Sequence, residues 1–364
     1  MPIRVLLVED SLIALTVLRR ILESSPDIEV VGTAQSGIEA LALIPDAKPD
    51  VICTDFHMPK MNGLEFTTQV MVRHPLPILV VSASVEEKED AHRIFQLLEA
   101  GAVDMLPKPN TGLQAENILL KKSLISKVKV LSGVKVFRKK QSTATSDPAL
   151  NSDGPNHRLI SKALADAKRN NPKIIVVGAS TGGPLALQKV FAPLPAKFSL
   201  PIICVQHIGT GFLQGLIDWL SANCRLSVQI APAGKVPQPG HIYFPPEQQH
   251  LELDERGQFV YSQSPLVDGH RPSVTTTFSS AAHFYRQKAV GILLTGMGRD
   301  GASGMKKITD LGGFTIAQDE ATSIVFGMPK EAISIGAASQ VLPIQAIAPA
   351  LLKLAVHQSL PQTK

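Results

Sequence analysis

A serine stands among glycines in "GASTGG", residues 178–183, directly after the apolar run "KIIVV". Two chemistries use such a turn. Its backbone N–H groups can wrap a phosphate, or its bend can expose a nucleophilic serine between strand and helix. A Walker-type phosphate loop needs Lys and then Ser or Thr after the glycines, and here Pro184 and Leu185 follow. A dinucleotide fingerprint needs Gly-x-Gly-x-x-Gly, which Gly178, Gly182 and Gly183 do not make. Gly-x-Ser-x-Gly does fit, with Ser180 in the nucleophile position.

A serine hydroxyl needs a base to take its proton, and the base needs an acid to orient it. His207 ends the strand-like run "PIICVQH", and Asp300 follows "VGILLTG" within "LTGMGRDGASG". Ser180, His207 and Asp300 therefore each stand just past an expected strand, at one sheet edge. In these roles Ser180 attacks an ester carbonyl, His207 passes the proton to the leaving alcohol, and Asp300 orients the imidazole. Backbone N–H groups at Thr181 or Met297 would receive the oxyanion. Plainer uses exist: Ser180 and Asp300 as helix caps, His207 as a half-buried histidine. His241, His250, His270 and His283 compete as the base, although none ends a strand as His207 does. The order Ser, His, Asp differs from the Ser, Asp, His of α/β-hydrolases, so a triad here is built on a different sheet.

A second set of residues carries charge. Glu9 and Asp10 follow "IRVLLV", Asp55 follows "DVICT", Ser82 ends "PILVVS" and Lys108 follows "VDMLP". Ligands of an open parallel sheet sit beyond the carboxyl ends of its strands. Three carboxylates there repel one another unless a cation joins them, and oxygen ligands at a shallow site suit Mg²⁺. The metal neutralises an incoming phosphoryl group, which an exposed carboxylate then attacks. Lys108 balances the remaining charge, and Ser82 hydrogen-bonds the new oxygens. Taken singly, the acids are helix caps and the lysine a surface residue. Five such residues at the ends of four strands fit that plainer account poorly.

The elements that must hold these residues alternate strand-like with helical runs in both halves, as βαβ units do. In the first half the strands are "IRVLLV", "IEVVGTA", "DVICT", "PILVVS" and "VDMLP". In the second they are "KIIVVG", "PIICVQ", "LSVQI", "HIYFP", "VGILLTG" and "FTIAQ", with a hairpin around Arg256-Gly257. Helices are expected at 184–192, 212–223, 273–285, 301–311 and 344–356. "STATSDPALNSDGPN", 142–156, is polar and reads as a tether. The expected fold class is α/β, with two doubly wound parallel-sheet domains at 1–125 and 171–360. The linker is 126–170.

With 364 residues the chain is long enough for two cores. No run approaches the ~18 apolar residues of a membrane span, and "MPIRVLLVED" lacks a signal-peptide layout. Cys53, Cys204 and Cys224 are too few for a disulfide framework and fit a reducing cytoplasm. Lys121, Lys122, Lys127, Lys129, Lys135, Arg138, Lys139 and Lys140 form a basic run, read as a solvated helix face or a contact for an acidic partner. No zinc-finger or RNP-like motif points to nucleic acid.

"LLVEDS", "DFHMPKMNGLE", "VVSAS" and "KP" resemble the response-regulator receiver family over about 120 residues. The resemblance implies a flavodoxin-like fold with Asp55 as phosphoacceptor. It also implies Mg²⁺ held by Glu9, Asp10, Asp55 and the main-chain carbonyl of His57, with Ser82 and Lys108 as switch residues. Met105 departs from it, standing where many receivers carry an aromatic residue.

"GASTGGP", "VQH", "GHRPSV", "LTGMGRDGASG" and "IAQDEATSIVFGMP" resemble the catalytic domain of the chemotaxis protein-glutamate methylesterases, the CheB family, over roughly 173–345. The resemblance implies a Rossmann-like domain with Ser180, His207 and Asp300 as the triad. The implied reaction is hydrolysis of glutamyl methyl esters on methyl-accepting chemoreceptors, releasing methanol, with deamidation of receptor glutamines. A chemotaxis histidine kinase is the implied phosphodonor. Two alternatives stay open: an output module that binds a phosphorylated ligand without hydrolysis, and an esterase of a non-receptor substrate. "HIGTGF" lacks the family's frequent Met-Pro, and Thr275 stands where an acid is common. Both departures are expected to affect the approach of a substrate helix and to leave the three catalytic residues untouched.

Overall fold

The computed structural model describes residues 1–82, 88–109, 115–136, 164, 165 and 167–355. The chain divides into two compact units: Met1–Thr143 with Ile208–Leu216 in the first, and the rest in the second.

In the first unit the five expected strands form β1 (Ile3–Val8), β2 (Ile28–Ala34), β3 (Val51–Thr54), β4 (Ile78–Ser82) and β5 (Asp104–Pro107). They pair in parallel in the order β2-β1-β3-β4-β5, the flavodoxin-like order. Parallel strands covered on both faces read as continuous apolar runs, and "VICT" and "ILVVS" are buried at every position. Helices α1 (Leu12–Glu23), α2 (Gly37–Ala47), α3 (Gly63–Arg73), α4 (Lys88–Ala100) and α5 (Ala115–Leu131) connect or follow them. Leu18 and Leu22 of α1 and Leu124 and Val128 of α5 pack on Val5, Leu7 and Val81 in one core. Each such side chain stabilises the fold by about 1.5–3 kcal/mol.

The basic run lies partly on α5. Lys127 pairs with Asp104 and Lys129 with Asp27, so the fold brings acids to a stretch that has none in sequence. Helix α5 continues past the boundary expected at residue 125, because Val128 and Leu131 belong to the core. The second unit in turn starts before residue 171. Leu164 and Ala167 are buried, and Asn170 Nδ2 donates to the Gly312 carbonyl. Arg138, Lys139, Lys140 and the tether at 142–156 lie outside the described residues.

The second unit holds a seven-stranded sheet, all of whose pairings are parallel. Its strands are β6 (Ile174–Ala179), β7 (Ile202–Gln206), β8 (Ser227–Ile230), β9 (His241–Phe244), β12 (Ala289–Leu293), β13 (Phe314–Gln318) and β14 (Gln340–Leu342). The antiparallel hairpin β10 (His250–Leu253) and β11 (Phe259–Ser262) stands apart from it, turning at Gly257 with φ 72°. The spatial order is β14-β13-β12-β6-β7-β9-β8. The chain leaves β6 toward β7 on one side and comes back to β12 on the other, so the order reverses at β6. Helices α6 (Gly183–Phe191), α7 (Leu213–Asn223), α8 (Val274–Tyr285), α9 (Ala302–Asp310) and α11 (Ile344–Ala355) lie where periodicity places them. Strand β14 and helix α10 (Met328–Ser334) are additions. At three and seven residues they are too short to show a period.

One local feature of the first unit fixes a functional backbone. Asn62 caps α3 by accepting from the Leu64 and Glu65 amides, and Glu65 returns a bond to the Asn62 amide. This capping box sets Gly63 against β3, where its N–H donates to the Phe56 carbonyl at 2.8 Å. A Cβ on Gly63 would lie 2.4 Å from the Asp55 carbonyl oxygen. Gly63→Ala should therefore destabilise the first unit by about 1–3 kcal/mol. Its urea midpoint should fall without a change in slope; an unchanged midpoint would show that the loop can move away at no cost.

Candidate active site

Strands β12, β6 and β7 lie side by side, and their register pairs Leu293 with Gly178 and Ala179 with Gln206. The next residues continue the ladder. Ser180 N donates to the Thr295 carbonyl at 3.0 Å, and His207 N donates to the Ala179 carbonyl at 3.0 Å. Ser180 and His207 are thus held at neighbouring strand ends, about one strand spacing (~4.8 Å) apart in backbone. They sit where the order of the sheet reverses, the usual crevice of an open α/β sheet.

Asp300 arrives in the loop after β12 and is only 1% exposed. A carboxylate so buried needs donors on both oxygens. Helix α8 supplies them. Ser273 caps it and donates its hydroxyl to Asp300 Oδ1 at 2.8 Å, and the Thr275 amide donates to the same oxygen at 2.9 Å. The Val274 amide donates to Oδ2 at 2.8 Å. His207 Nε2 completes the set, 2.9 Å from Oδ2. Burial alone would raise this carboxyl, but His207 and the donors of α8 outweigh it and hold it well below the ordinary carboxylate range. Close packing makes the approach possible: Cβ atoms on Gly178 and Gly301 would lie 2.3 and 2.6 Å from Val274 Cγ1. Asp300 therefore caps no helix of its own; it accepts from the N-terminus of another.

Because Nε2 faces Asp300, Nδ1 of His207 is the nitrogen left to accept a proton. It is buried and has no hydrogen-bond partner among the described residues. Ser180 is 6% exposed, and no hydrogen bond joins its Oγ to the imidazole among the described residues. The structure brings His207 and Asp300 into contact and sets Ser180 alongside.

Several supports carried no signal in the sequence. Gln206, the last residue of β7, is 4% exposed. Its Nε2 donates to the Ser180 and His207 carbonyls, at 2.8 Å each, and so ties the two strand ends together. A Cβ on Gly183 would lie 1.9 Å from its Oε1, so that glycine makes room for the amide. Thr295 donates its hydroxyl to the Thr181 carbonyl at 2.9 Å and accepts from the Val325 amide at 2.9 Å. Its own amide donates to Gln318 Oε1 at 2.8 Å. The run "IAQDEATSIVFGMP" thus acts as scaffolding beside the serine. Thr275 lies beside the acid: its amide binds the Asp300 carboxylate, and its hydroxyl accepts from the Gly301 amide at 2.8 Å. The contact with the acid is made by the backbone, and the side chain reaches the amide of the next residue, Gly301.

Of the competing histidines, His250 is fully buried beside the Pro265 carbonyl and accepts from the Ser273 amide at 3.2 Å, which makes it part of the support under Asp300. His241 opens β9 and bonds the Pro239 carbonyl, and His283 lies on α8. His270 stacks flat on His207. For the oxyanion, Thr181 is buried and its carbonyl is fixed by Thr295, while Met297 is half-buried. Met297 follows Gly296, where a Cβ would lie 2.8 Å from Ser180 Cβ.

The first unit carries a separate charged site. Lys108 Nζ lies 2.6 Å from Asp55 Oδ2 and 2.9 Å from Glu9 Oε1. Glu9, Asp10 and Asp55 bring carboxylate oxygens within 4.8 Å of one another, and both oxygens of the buried Glu9 lie 2.9 Å from Lys108 Nζ. Burial, and after it the neighbouring Asp55, push the Glu9 carboxyl above its ordinary value against the pull of Lys108. Burial also works against the charged form of Lys108, but its bonds to Asp55 and Glu9 prevail and raise it. A hard divalent cation fits this set of oxygen ligands, since it would relieve the acid–acid repulsion that raises Glu9. Asp10 and His57 line one shallow recess of about 400 Å³ with Phe56, Met58, Pro59 and Asn62. Ser82 ends β4, and its carbonyl accepts from the Lys108 amide at 2.8 Å.

Comparison with known proteins agrees with this division. The response regulator receiver domain family matches residues 5–119, and the CheB methylesterase family matches 175–351. A protein-glutamate methylesterase/protein-glutamine glutaminase of Nitrosospira multiformis is 40% identical over 98% of this chain and 98% of its own. One from Syntrophus aciditrophicus is 41% identical over 97% and 98%. The crystal structure of the Thermotoga maritima CheB methylesterase catalytic domain is 40% identical, covering 50% of this chain and 98% of its own, with a TM-score of 0.49. By this full-length similarity the chain belongs to the CheB methylesterase family, with a response regulator receiver domain in front.

Proposed function

We propose that the chain hydrolyses glutamate methyl esters on methyl-accepting chemoreceptors, releasing methanol, and deamidates glutamines at the same sites. The carrying observation is the His207–Asp300 pair at 2.9 Å, set beside Ser180 at the switch point of the sheet. Ser180 Oγ attacks the ester carbonyl while His207 Nδ1 takes its proton. The imidazolium gives that proton to the departing methanol, and water then repeats the cycle on the acyl-enzyme. Asp300 stays ionised throughout, because α8 already solvates it. Backbone N–H groups at Thr181 and Met297 receive the oxyanion. A phosphate-binding output module is not favoured, since Gly183 is filled by Gln206 and a Cβ on Gly182 would meet Ile324 at 2.7 Å.

Asp55 is the phosphoacceptor, charged by a chemotaxis histidine kinase in the cytoplasm. Among the described residues no helix is long and apolar enough to cross a membrane. Mg²⁺ would be held by Glu9, Asp10, Asp55 and the main-chain carbonyl of His57, and when bound it neutralises the phosphoryl oxygens. Lys108 pairs with the carboxylates before transfer and with the phosphoryl group afterwards, and Ser82 follows that group. Phosphorylation relieves a restraint of the receiver on the esterase.

Methanol release from methylated receptor tests the core of this scheme. Ser180→Ala should lose about 10⁶-fold in kcat, and Asp300→Asn about 10⁴-fold. A Ser180→Ala protein of full activity would exclude this serine. A small phosphodonor should speed wild type but not Asp55→Asn, and chelating Mg²⁺ should abolish the stimulation while sparing basal turnover. Removal of Met1–Thr143 should also speed turnover; a fragment no faster than the unphosphorylated chain would exclude restraint by the receiver.

Acid stability follows from the depressed Asp300 carboxyl. Its folded value lies below the ordinary 3.8, so its contribution is complete above about pH 5 and is lost as pH falls toward the folded value. The stability gap between wild type and Asp300→Asn, measured by urea unfolding, should shrink below about pH 4. A gap unchanged there would mean that the carboxyl titrates alike in both states.

A further inference from the structure

The proposed base is held at one nitrogen only. His207 Nε2 bonds Asp300, Nδ1 has no hydrogen-bond partner among the described residues, and nothing in that single bond stops the ring tilting about it. The face of the ring is where a second restraint would act, and there His270 lies, with centroids 3.7 Å apart and planes within 7°. So close and parallel a pair leaves no room for either ring to tip.

His270 is itself firmly placed. Its amide and carbonyl both bond Val267 across a tight turn, at 2.9 and 3.1 Å. The two central residues, Asp268 and Gly269, take φ 50° and 85°, the left-handed pair that the Asp-Gly sequence favours. Asp268 Oδ1 accepts from Arg299 Nε at 2.8 Å, which ties the turn to the residue before Asp300. Arg271 Nη1 donates to the Gln263 and Ser264 carbonyls at 2.9 and 3.2 Å and closes the base of the loop. The same segment then continues to Ser273, Val274 and Thr275, the donors of Asp300. One stretch therefore presses on the face of the base and clasps its acid from behind.

We infer that His270 is a positioning residue for the esterase: its ring fixes the plane of His207 so that Nδ1 stays aimed at Ser180 while Nε2 remains on Asp300. The inference rests on the Ser180–His207–Asp300 mechanism. It requires a flat ring at position 270, not a proton-carrying one.

The test uses the full-length protein and methylated receptor, with kcat and KM measured separately. His270→Ala should lower kcat by about 10–100-fold, the cost of a base misplaced by a fraction of an ångström, and leave KM within about twofold. His270→Phe, which restores a flat ring without titratable nitrogen, should recover kcat to within about threefold of wild type, while His270→Asn should not. If His270→Ala does not fold, the comparison of the Phe and Asn variants decides alone. Wild-type kcat in His270→Ala, or a Phe variant no better than Asn, overturns the inference. So does His207→Ala activity that disappears when His270→Ala is added, since His270 would then be the base. Ser180→Ala separates the two levels: if it is inactive while His270→Ala is unimpaired, only this inference fails. If it is fully active, the nucleophile assignment fails first.

Discussion

The second unit depends on how one buried carboxylate is kept ionised. Asp300 is 1% exposed, and a bare charge there would cost several kcal/mol. Ser273, Val274 and Thr275 meet that cost at the N-terminus of α8, where N–H groups have no helical partner and the helix dipole is positive. Much else follows. Val274 must come close to β6, so Gly178 and Gly301 carry no side chains. His250 must fix the Ser273 amide, so it is buried. His207 then meets a carboxylate already held by three other donors, and its Nδ1 faces away from that acid.

The first unit solves the reverse problem. Its acids crowd one another. Glu9 and Asp55 share the Lys108 ammonium, and their mutual repulsion still helps to raise Glu9. Asp300 accepts from four donors, whereas the Glu9–Asp10–Asp55 set gathers three acids around one lysine. The contrast separates an acid built to orient a neighbour from acids built to receive something new.

The sequence showed the fold well because period and position agree in both halves. "IRVLLV" and "FTIAQ" became β1 and β13 at their expected bounds. The triad could be proposed because each residue follows a strand, and topology alone converts that fact into proximity. The supports were not legible in the same way. Gln206 is one more polar residue at a strand end until its amide is seen to join two carbonyls. Thr275 looked remote because a backbone amide's partner cannot be read from its side chain. His250 and His270 differed from His207 only in what surrounds them, and surroundings are set by tertiary contact. The end of α5 was hard to read for a similar reason, since its basic face hides the apolar side that packs on the sheet.

Carrying the three residues on β12, β6 and β7 has a consequence for how this architecture tolerates change. His207 and Asp300 are 93 residues apart in the chain, yet they are anchored to strands that flank one common neighbour. The excursion between them, with β8, β9 and the hairpin, departs on the β7 side and comes home at β12. Insertions or deletions in β8, β9 or their turns would lengthen or shorten that detour without moving either end. The rim is thereby insulated from the length of the turns around β8 and β9, and those turns are free to be reshaped for different surfaces, while the hairpin and the segment before α8 stay fixed as supports of Asp300.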